Sequence, residues 1–169
     1  MNKILLILSI FVLLEISCTN KMKEPNMKVQ INIKSKLNAK KIKEQKDTYY
    51  SINIDLVNNT DSIARFWIMS CSWQDNWIFN RNTVFFYIQG CDKNYPTIKQ
   101  IEPGQKLTYN GIIQCKNNAK LNKETDIRLG FVLIKEHDVL KISDFKDVLI
   151  NKIKKQKDII WSEPFKIGK

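Results

Sequence analysis

Short runs in which apolar and polar residues alternate recur along most of this chain. Val29, Ile31 and Ile33 alternate with polar residues, and the pattern returns at residues 52–56. Because successive side chains of a strand point to opposite faces, this period of two predicts strands with one buried face. Similar runs occupy residues 107–113, 127–133 and 159–167, while residues 63–71 and 83–88 are apolar on both faces, as in central strands. The pattern restricts the chain to a mainly β fold.

One segment ahead of the last run has a different period. Phe145, Val148, Leu149 and Ile153 follow helical spacing, a serine and an aspartate precede them as capping residues, and lysines crowd the end. Lysines there suit the negative end of the helix dipole and indicate a solvated helix face. About seven short strands with turn signals, and one helix inserted before the last strand, predict an antiparallel β-sandwich of immunoglobulin type over residues 28–169.

Three segments carry a resemblance to a known group of proteins. They are the strand-turn "LVNNTDS", the turn-strand "IEPGQKLTY" and the closing strand "IIWSEPFKI". Their order is similar to that of small exported immunoglobulin-like lipoprotein domains of Gram-negative bacteria, and the resemblance covers most of residues 28–167. It implies a fold and a location but no activity, because a fold does not carry a function.

The first residues of the chain have the layout of a secretory signal peptide. Lys3 supplies a positive charge, and residues 4–14 form an apolar run that only Ser9 interrupts. A transmembrane helix needs about 20 apolar residues, so this run is too short to span a bilayer. We therefore expect residues 1–17 to be a cleaved signal peptide.

The residues before Cys18 resemble the lipobox of bacterial lipoproteins. In "LEISC", Ser17 and Cys18 match the lipobox pattern, while Glu15 stands where the family has an apolar residue. The resemblance implies lipid on the sulfur of Cys18, a tether over residues 18–27 and a place in the cell envelope, on the outer membrane or a membrane facing the periplasm. The alternative is an ordinary signal peptide cut near Ser17.

The chain is strongly basic, with a formal net charge of +11. Its arginines are only Arg65, Arg81 and Arg128, and the lysines are spread along the whole length. Nucleic-acid binding favours clustered arginine with interleaved aromatics and a cytoplasmic address, so we expect no nucleic-acid partner. Weak attraction to anionic lipid or polysaccharide remains open.

Three cysteines remain if Cys18 carries lipid. In an oxidising compartment we expect one disulfide and one spare thiol, and the ends of two strand-like runs favour Cys71 with Cys91. Cys91 with Cys115 is the second choice, and three buried thiols are the third. The chain has one histidine and no C-x-x-C pair, so we expect neither a metal site nor a cofactor.

Catalysis finds little support in the sequence. His137 lies in a polar stretch after a strand, and nothing marks a nucleophile or an orienting acid for it. The acidic residues are scattered in unrelated turns without the spacing of a calcium loop. We therefore expect no catalytic residues and a protein that is not an enzyme.

An aromatic segment carries the most information about binding. Trp73 and Trp77 flank the polar residues Asp75 and Asn76, and an exposed ring there would stack on a sugar or anchor a protein. The alternative is that both rings pack in the core. The function expected is a membrane-anchored envelope lipoprotein whose non-catalytic domain binds a protein or glycan. An accessory part of an envelope assembly, using a sheet edge or the basic helix, is the alternative.

Replacing Cys18 with Ser tests the predicted anchor. The variant should leave the membrane fraction and lose labelling by a radioactive fatty acid, because no thiol remains to carry the acyl chains that hold the protein on the bilayer. Unchanged membrane association of Cys18→Ser would rule out lipid on this residue.

Overall fold

The computed structural model describes residues 27–37, 47–88, 90–116 and 126–167, and this part of the chain is mainly β. The predicted signal peptide 1–17, Cys18 and tether residues 19–26 lie outside the described residues. The strands are β1 (Met27–Leu37), β2 (Thr48–Asn58), β3 (Ala64–Met69), β4 (Trp77–Phe79), β5 (Val84–Phe86), β6 (Pro96–Ile101), β7 (Lys106–Cys115), β8 (Leu129–Val132) and β9 (Ile159–Trp161). One α-helix among the described residues, α1 (Phe145–Lys154), precedes β9.

The strands form antiparallel sheets that face each other. One sheet has the order β1-β2-β7-β5, a second has the order β4-β8-β9, and β3 pairs with β6. The backbone N–H of Trp67 in β3 donates to the carbonyl of Ile134 just after β8, which links the short β3-β6 pair to the second sheet. The predicted mainly β, sandwich-like fold with one helix before the last strand is confirmed.

The core begins with the alternating face of β2. Ile52, Ile54 and Leu56 are each at most 1% exposed, while the residues between them are half-buried. They belong to the same buried cluster as Phe66 and Phe131, whose rings meet edge to face with centroids 5.2 Å apart. The period of two in the sequence therefore places one face of this strand in the interior.

Two strands were not predicted. β6 begins at a proline and contains the exposed Lys99 and Gln100, so its sequence reads as a loop. β4 has only three residues and lies inside the aromatic segment that the sequence analysis treated as a tip. Its pairing with β8 places Trp77 opposite Phe131. Both strands exist because tertiary pairing overrides a weak local pattern.

The last strand is shorter than the predicted run of residues 159–167. The N–H of Leu129 donates to the hydroxyl of Ser162 at 3.1 Å. In a regular antiparallel ladder this N–H would donate to a backbone carbonyl instead. Pro164 has no N–H to contribute. Pairing resumes only at the isolated bridge between Ile127 and Phe165.

The helix α1 packs through one face on a second, smaller core. Phe145 and Leu149 are buried against Val132, Ile134 and Val139. Ten residues give a helix about 15 Å long. Among the helices of the described residues, none has the length and apolar character needed to cross a membrane.

Replacing Trp77 with Ala should destabilise the protein strongly. Trp77 is 5% exposed and its ring contacts that of Phe131, so the variant leaves a cavity in the core. We expect the free energy of unfolding to fall by about 3–5 kcal/mol. Phe85→Ala is the matched control, because Phe85 is 37% exposed and should contribute about 1 kcal/mol or less. Thermal melting measures both, and equal melting temperatures for the two variants would contradict the burial of Trp77.

Candidate binding groove

A disulfide and a hydrogen-bonded asparagine join the loop after β3 to the loop before β6. Cys71 and Cys91 are bonded, with Cα atoms 6.2 Å apart, which confirms the favoured pairing. The side-chain oxygen of Asn94 accepts the N–H groups of Cys71 and Ser72, at 3.2 and 3.1 Å. The hydroxyl of Ser72 bonds Asp75 at 2.5 Å and accepts from Asn94 at 2.6 Å. These bonds fix the position of Asp75.

The predicted binding tip is corrected by the burial of its residues. Asn76 is fully buried, and its amide donates to the carbonyls of Trp67 and Val132 at 3.1 and 3.3 Å. Trp77 is a core residue, and the half-buried ring of Trp73 meets it edge to face at 6.5 Å. Neither Asn76 nor Trp77 is presented to a ligand, so burial is the correct alternative for this segment.

Asp75, the exposed member of the predicted tip, lies on an apolar groove. The groove runs between the disulfide-linked loops and α1 and has a volume of about 650 Å³. Its apolar lining consists of Met69, Pro96, Ile142, Phe145, Leu149 and Ile150. Grooves of this size with mostly apolar walls are typical binding sites.

Large apolar side chains stand exposed in this groove and at chain positions close to its lining residues. Ile142 and Ile150 are 61% and 38% exposed, Tyr95 is 61% exposed beside the lining residue Pro96, and Leu140, two residues before Ile142, is 90% exposed. Single exposed apolar residues are ordinary, but a group around one groove marks an interaction surface. We call these four residues the apolar rim.

The polar groups of the groove carry balanced charge. Asp75 and Lys146 contribute one carboxylate and one ammonium, and Asn94 and Ser143 add neutral hydrogen-bonding groups. Apolar walls with a few polar groups at the edge resemble a protein–protein interface more than the surface of a polyanion-binding protein.

An ion cluster holds the far end of α1. Lys152 is 8% exposed, and its ammonium lies 2.5 Å from Asp158 and 2.9 Å from Asp138. Burial disfavours the charged form of Lys152, but hydrogen bonds to Asp158 and Asp138 outweigh it and raise the pKa of Lys152. Burial likewise works against the charged form of Asp138, and hydrogen bonds from Lys152 and the Lys135 backbone lower its pKa.

The groove and the start of the described chain lie at opposite ends of β3. Met27 pairs with Asn58, and the amide of Asn58 donates to the carbonyl of Ile101 at 2.9 Å. Ile101 in turn pairs with Ala64, the first residue of β3, whereas Met69 at its other end lines the groove. Six strand residues separate the two ends by about 17 Å.

The remaining sequence candidates stand apart from this groove. The side chain of His137 is 79% exposed, with its Nε2 3.9 Å from Asp138. Cys115 is a buried free thiol, and burial together with the charge of Asp47 raises its pKa to about 11, so it stays protonated near neutral pH. Within the described ranges, no group of three histidine, cysteine or carboxylate side chains is placed to hold a metal ion.

The apolar rim was not predicted from the sequence. Leu140 and Ile142 lie in a stretch too short to show a period, between a polar 3₁₀ turn and the helix. A usable signal is the pair of large aliphatic residues flanking Lys141, outside any amphipathic pattern. Tyr95 carries no comparable signal, because its exposure depends on the disulfide-linked loop.

The chain has a distant structural likeness to a known protein. No family model and no curated protein matches the chain. Among solved structures it is similar to the crystal structure of a FixG-related protein from Vibrio parahaemolyticus, at 14% identity and a TM-score of 0.38, over 84% of this chain and 96% of that one.

Replacing Lys152 with Met should loosen α1, because two carboxylates then lack their cation. We expect the free energy of unfolding to fall by about 2 kcal/mol near neutral pH. The lowered pKa of Asp138 gives stability that is present above the ordinary carboxyl pKa of about 4 and lost as pH falls through the folded value. The raised pKa of Lys152 gives stability that is lost only as pH rises through its folded value, above about 10.4.

Urea unfolding across a pH series measures this difference. The gap between wild type and Lys152→Met should narrow below about pH 4, as the Asp138 carboxylate becomes protonated. Lys146→Met removes an exposed lysine from the same helix and should change stability by about 0.5 kcal/mol or less. A gap that stays constant down to pH 2 would contradict the ion cluster.

Proposed function

We propose that this protein is a membrane-anchored envelope lipoprotein whose sandwich domain binds a protein partner without catalysing a reaction. The anchor is the lipid expected on Cys18. The binding surface is the groove between the disulfide-linked loops and α1. The observation that carries the proposal is the exposure of Ile142 and Ile150 in a groove with apolar walls, with the exposed Tyr95 and Leu140 close to its lining residues in the chain.

The chemistry of the groove favours a protein over a glycan. A glycan site needs several exposed aromatic rings with hydrogen-bonding groups, whereas the two tryptophans expected to supply them pack in or against the core and Tyr95 is the one aromatic ring of the apolar rim. Aliphatic side chains such as Ile142 and Leu149 instead favour contact with apolar side chains of a partner. Each Å² of apolar surface buried in such a contact contributes about 25 cal/mol to the free energy of binding. An amphipathic segment with a few apolar anchors has the matching character.

The position of the groove suits a lipid anchor. The tether would reach the domain at Met27, and the groove lies at the opposite end of β3 from the residues that contact Asn58. The lipid and the groove would then be separated by the length of a strand. Such a domain offers its groove to a partner in the aqueous part of the envelope.

The preformed shape of the groove supports binding rather than flexible adaptation. A disulfide fixes one wall through Cys71 and Cys91, and the ion cluster around Lys152 fixes the helix that forms the other wall. Walls held in this way lose little conformational entropy when a partner binds.

Site-specific photocrosslinking in living cells tests the proposal. A benzoylphenylalanine at Leu140, which is 90% exposed, should crosslink the full-length protein to a discrete partner protein. The same photoreactive residue at Lys99, an exposed position on β6, is the control and should give no such product.

A second substitution connects the product to the groove. Ile142→Ser should reduce the Leu140 crosslink by roughly tenfold, as expected when an interface anchor worth about 1.4 kcal/mol is lost. Lys141→Ser, in the same loop but without loss of an apolar side chain, should leave the yield unchanged. Equal yields from Leu140 and Lys99, or no effect of Ile142→Ser, would contradict a protein-binding groove.

A further inference from the structure

A second cleft opens along one side of the sandwich, between the outermost strands β1 and β9. Its volume is about 730 Å³. The lining of this cleft includes Met27, Lys28, Arg128, Lys135, Trp161 and Glu163. In the described part of the chain, β1 pairs with β2 and β9 with β8, and no backbone hydrogen bond joins β1 to β9. Two sheet edges therefore border one cleft.

The edge of β9 presents backbone groups to this cleft. The N–H of Leu133 donates to the carbonyl of Asp158, and the N–H of Ser162 donates to the carbonyl of Leu129, both at 2.8 Å. The backbone N–H and C=O groups of the even-numbered residues 158–162 therefore point toward β8. Because the direction alternates along an antiparallel strand, the N–H and C=O of Ile159 and Trp161 point away from β8, toward the open edge.

The side chains of β9 lie over β8 rather than over that edge. A Cβ atom on Gly130 would be 2.6 Å from Cγ2 of Ile159 and 2.9 Å from Cε3 of Trp161. Only a glycine lets these two side chains settle so close to the β8 backbone. The outer edge of β9 stays accessible as a result.

The charges that line the cleft are mostly positive. Lys28, Arg128 and Lys135 are exposed, and the ion pairs between described residues include none of them. Glu163 is the carboxylate without an ion pair among the described lining residues. Asp158 also lines the cleft, where it shares the ammonium of Lys152 with Asp138. Three cations therefore face one unpaired carboxylate.

Two contacts hold the side chain of Arg128 in place beside the cleft. Its Nε–H donates to the carbonyl of Ser162 at 3.0 Å, and its guanidinium lies 5.7 Å from the ring centroid of Trp161. Neither contact neutralises its charge. A guanidinium fixed in this way keeps its remaining N–H donors for a carboxylate of a ligand.

We propose that this cleft binds an extended, acidic peptide segment of a partner protein, which pairs with the open edge of β9 as an added strand. Backbone pairing with Ile159 and Trp161 supplies the alignment, and carboxylates of the segment lie against Lys28, Arg128 and Lys135. The chain's own residues 19–26 adjoin Met27, but they carry Lys21 and Lys23 against Glu24, and their net positive charge disfavours them. The site is distinct from the apolar groove.

Methionine methyl NMR reports on both sites in one spectrum. Met27 lines this cleft and Met69 lines the groove. A soluble peptide of alternating Thr and Glu, added to the full-length chain in detergent, should shift the methyl resonance of Met27 and leave that of Met69 unchanged. A peptide of alternating Thr and Lys is the control and should shift neither.

Two further comparisons separate strand pairing from charge attraction alone. The acidic peptide methylated on every backbone nitrogen keeps its charge but loses its backbone donors, and it should fail to shift Met27. The double variant Lys28→Glu, Lys135→Glu should weaken binding of the acidic peptide by about tenfold or more. Lys141→Glu with Lys146→Glu makes the same change of charge at the groove and should leave the affinity within about twofold.

Three results would overturn the proposal. Equal binding of the N-methylated peptide would mean that charge alone attracts it. A shift at Met69 in place of Met27 would move the peptide to the groove. Binding to phosphatidylglycerol vesicles, with the same loss in Lys28→Glu, Lys135→Glu and no binding of the acidic peptide, would assign the cations to the membrane. The Leu140 crosslink is measured separately, so a failure of this proposal can be distinguished from a failure of the proposed function.

Discussion

The ring of Trp77 connects the two main sheets of the domain. Its centroid lies 4.8 Å from that of Phe131 in β8 and 5.8 Å from that of Tyr109 in β7, so one side chain contacts both layers. Aromatic pairs in such tilted and edge-to-face arrangements contribute about 0.5–1.5 kcal/mol beyond the apolar area that they bury. The 3₁₀ turn that precedes Trp77 begins two residues after Cys71. The same ring that holds the sheets together therefore also fixes the base of the disulfide-linked loop, and with it one wall of the groove.

The other wall of the groove is formed by α1, which has one buried face and one exposed face. Phe145 and Leu149 bury against β8, whereas Ile150 on the outer side has no such cover and remains 38% exposed. The ion cluster of Lys152 keeps the helix in position although part of its apolar surface faces water. This arrangement places covalent and ionic restraints on both sides of one apolar groove, which is the physical basis of the binding role that we propose for it.

The sequence predicted the parts of the fold whose signal is local. β1, β2 and β7 follow from strict alternation, α1 from its helical spacing, and Cys71–Cys91 from the ends of two apolar runs. β4 and β6 were missed because three apolar residues, or six that begin with proline, define no period. The burial of Asn76 could not be predicted either, since its two partners, Trp67 and Val132, are supplied by distant strands. The groove was missed for the same reason: Met69, Pro96 and Ile142 come together only through the pairing of β3 with β6 and the packing of α1.

Hydroxyl-radical footprinting tests the central claim, that the apolar groove is a binding surface covered in the envelope. Oxidation is compared between the purified full-length protein and the isolated envelope fraction, by mass spectrometry of the peptides that contain Tyr95, Leu140 and Ile142. Ile63 is 49% exposed, lies next to Ala64 at the other end of β3, and serves as the internal reference. We expect the oxidation of Tyr95, Leu140 and Ile142 to fall in the envelope while that of Ile63 stays the same. Equal oxidation of these three residues in both preparations would contradict a covered groove.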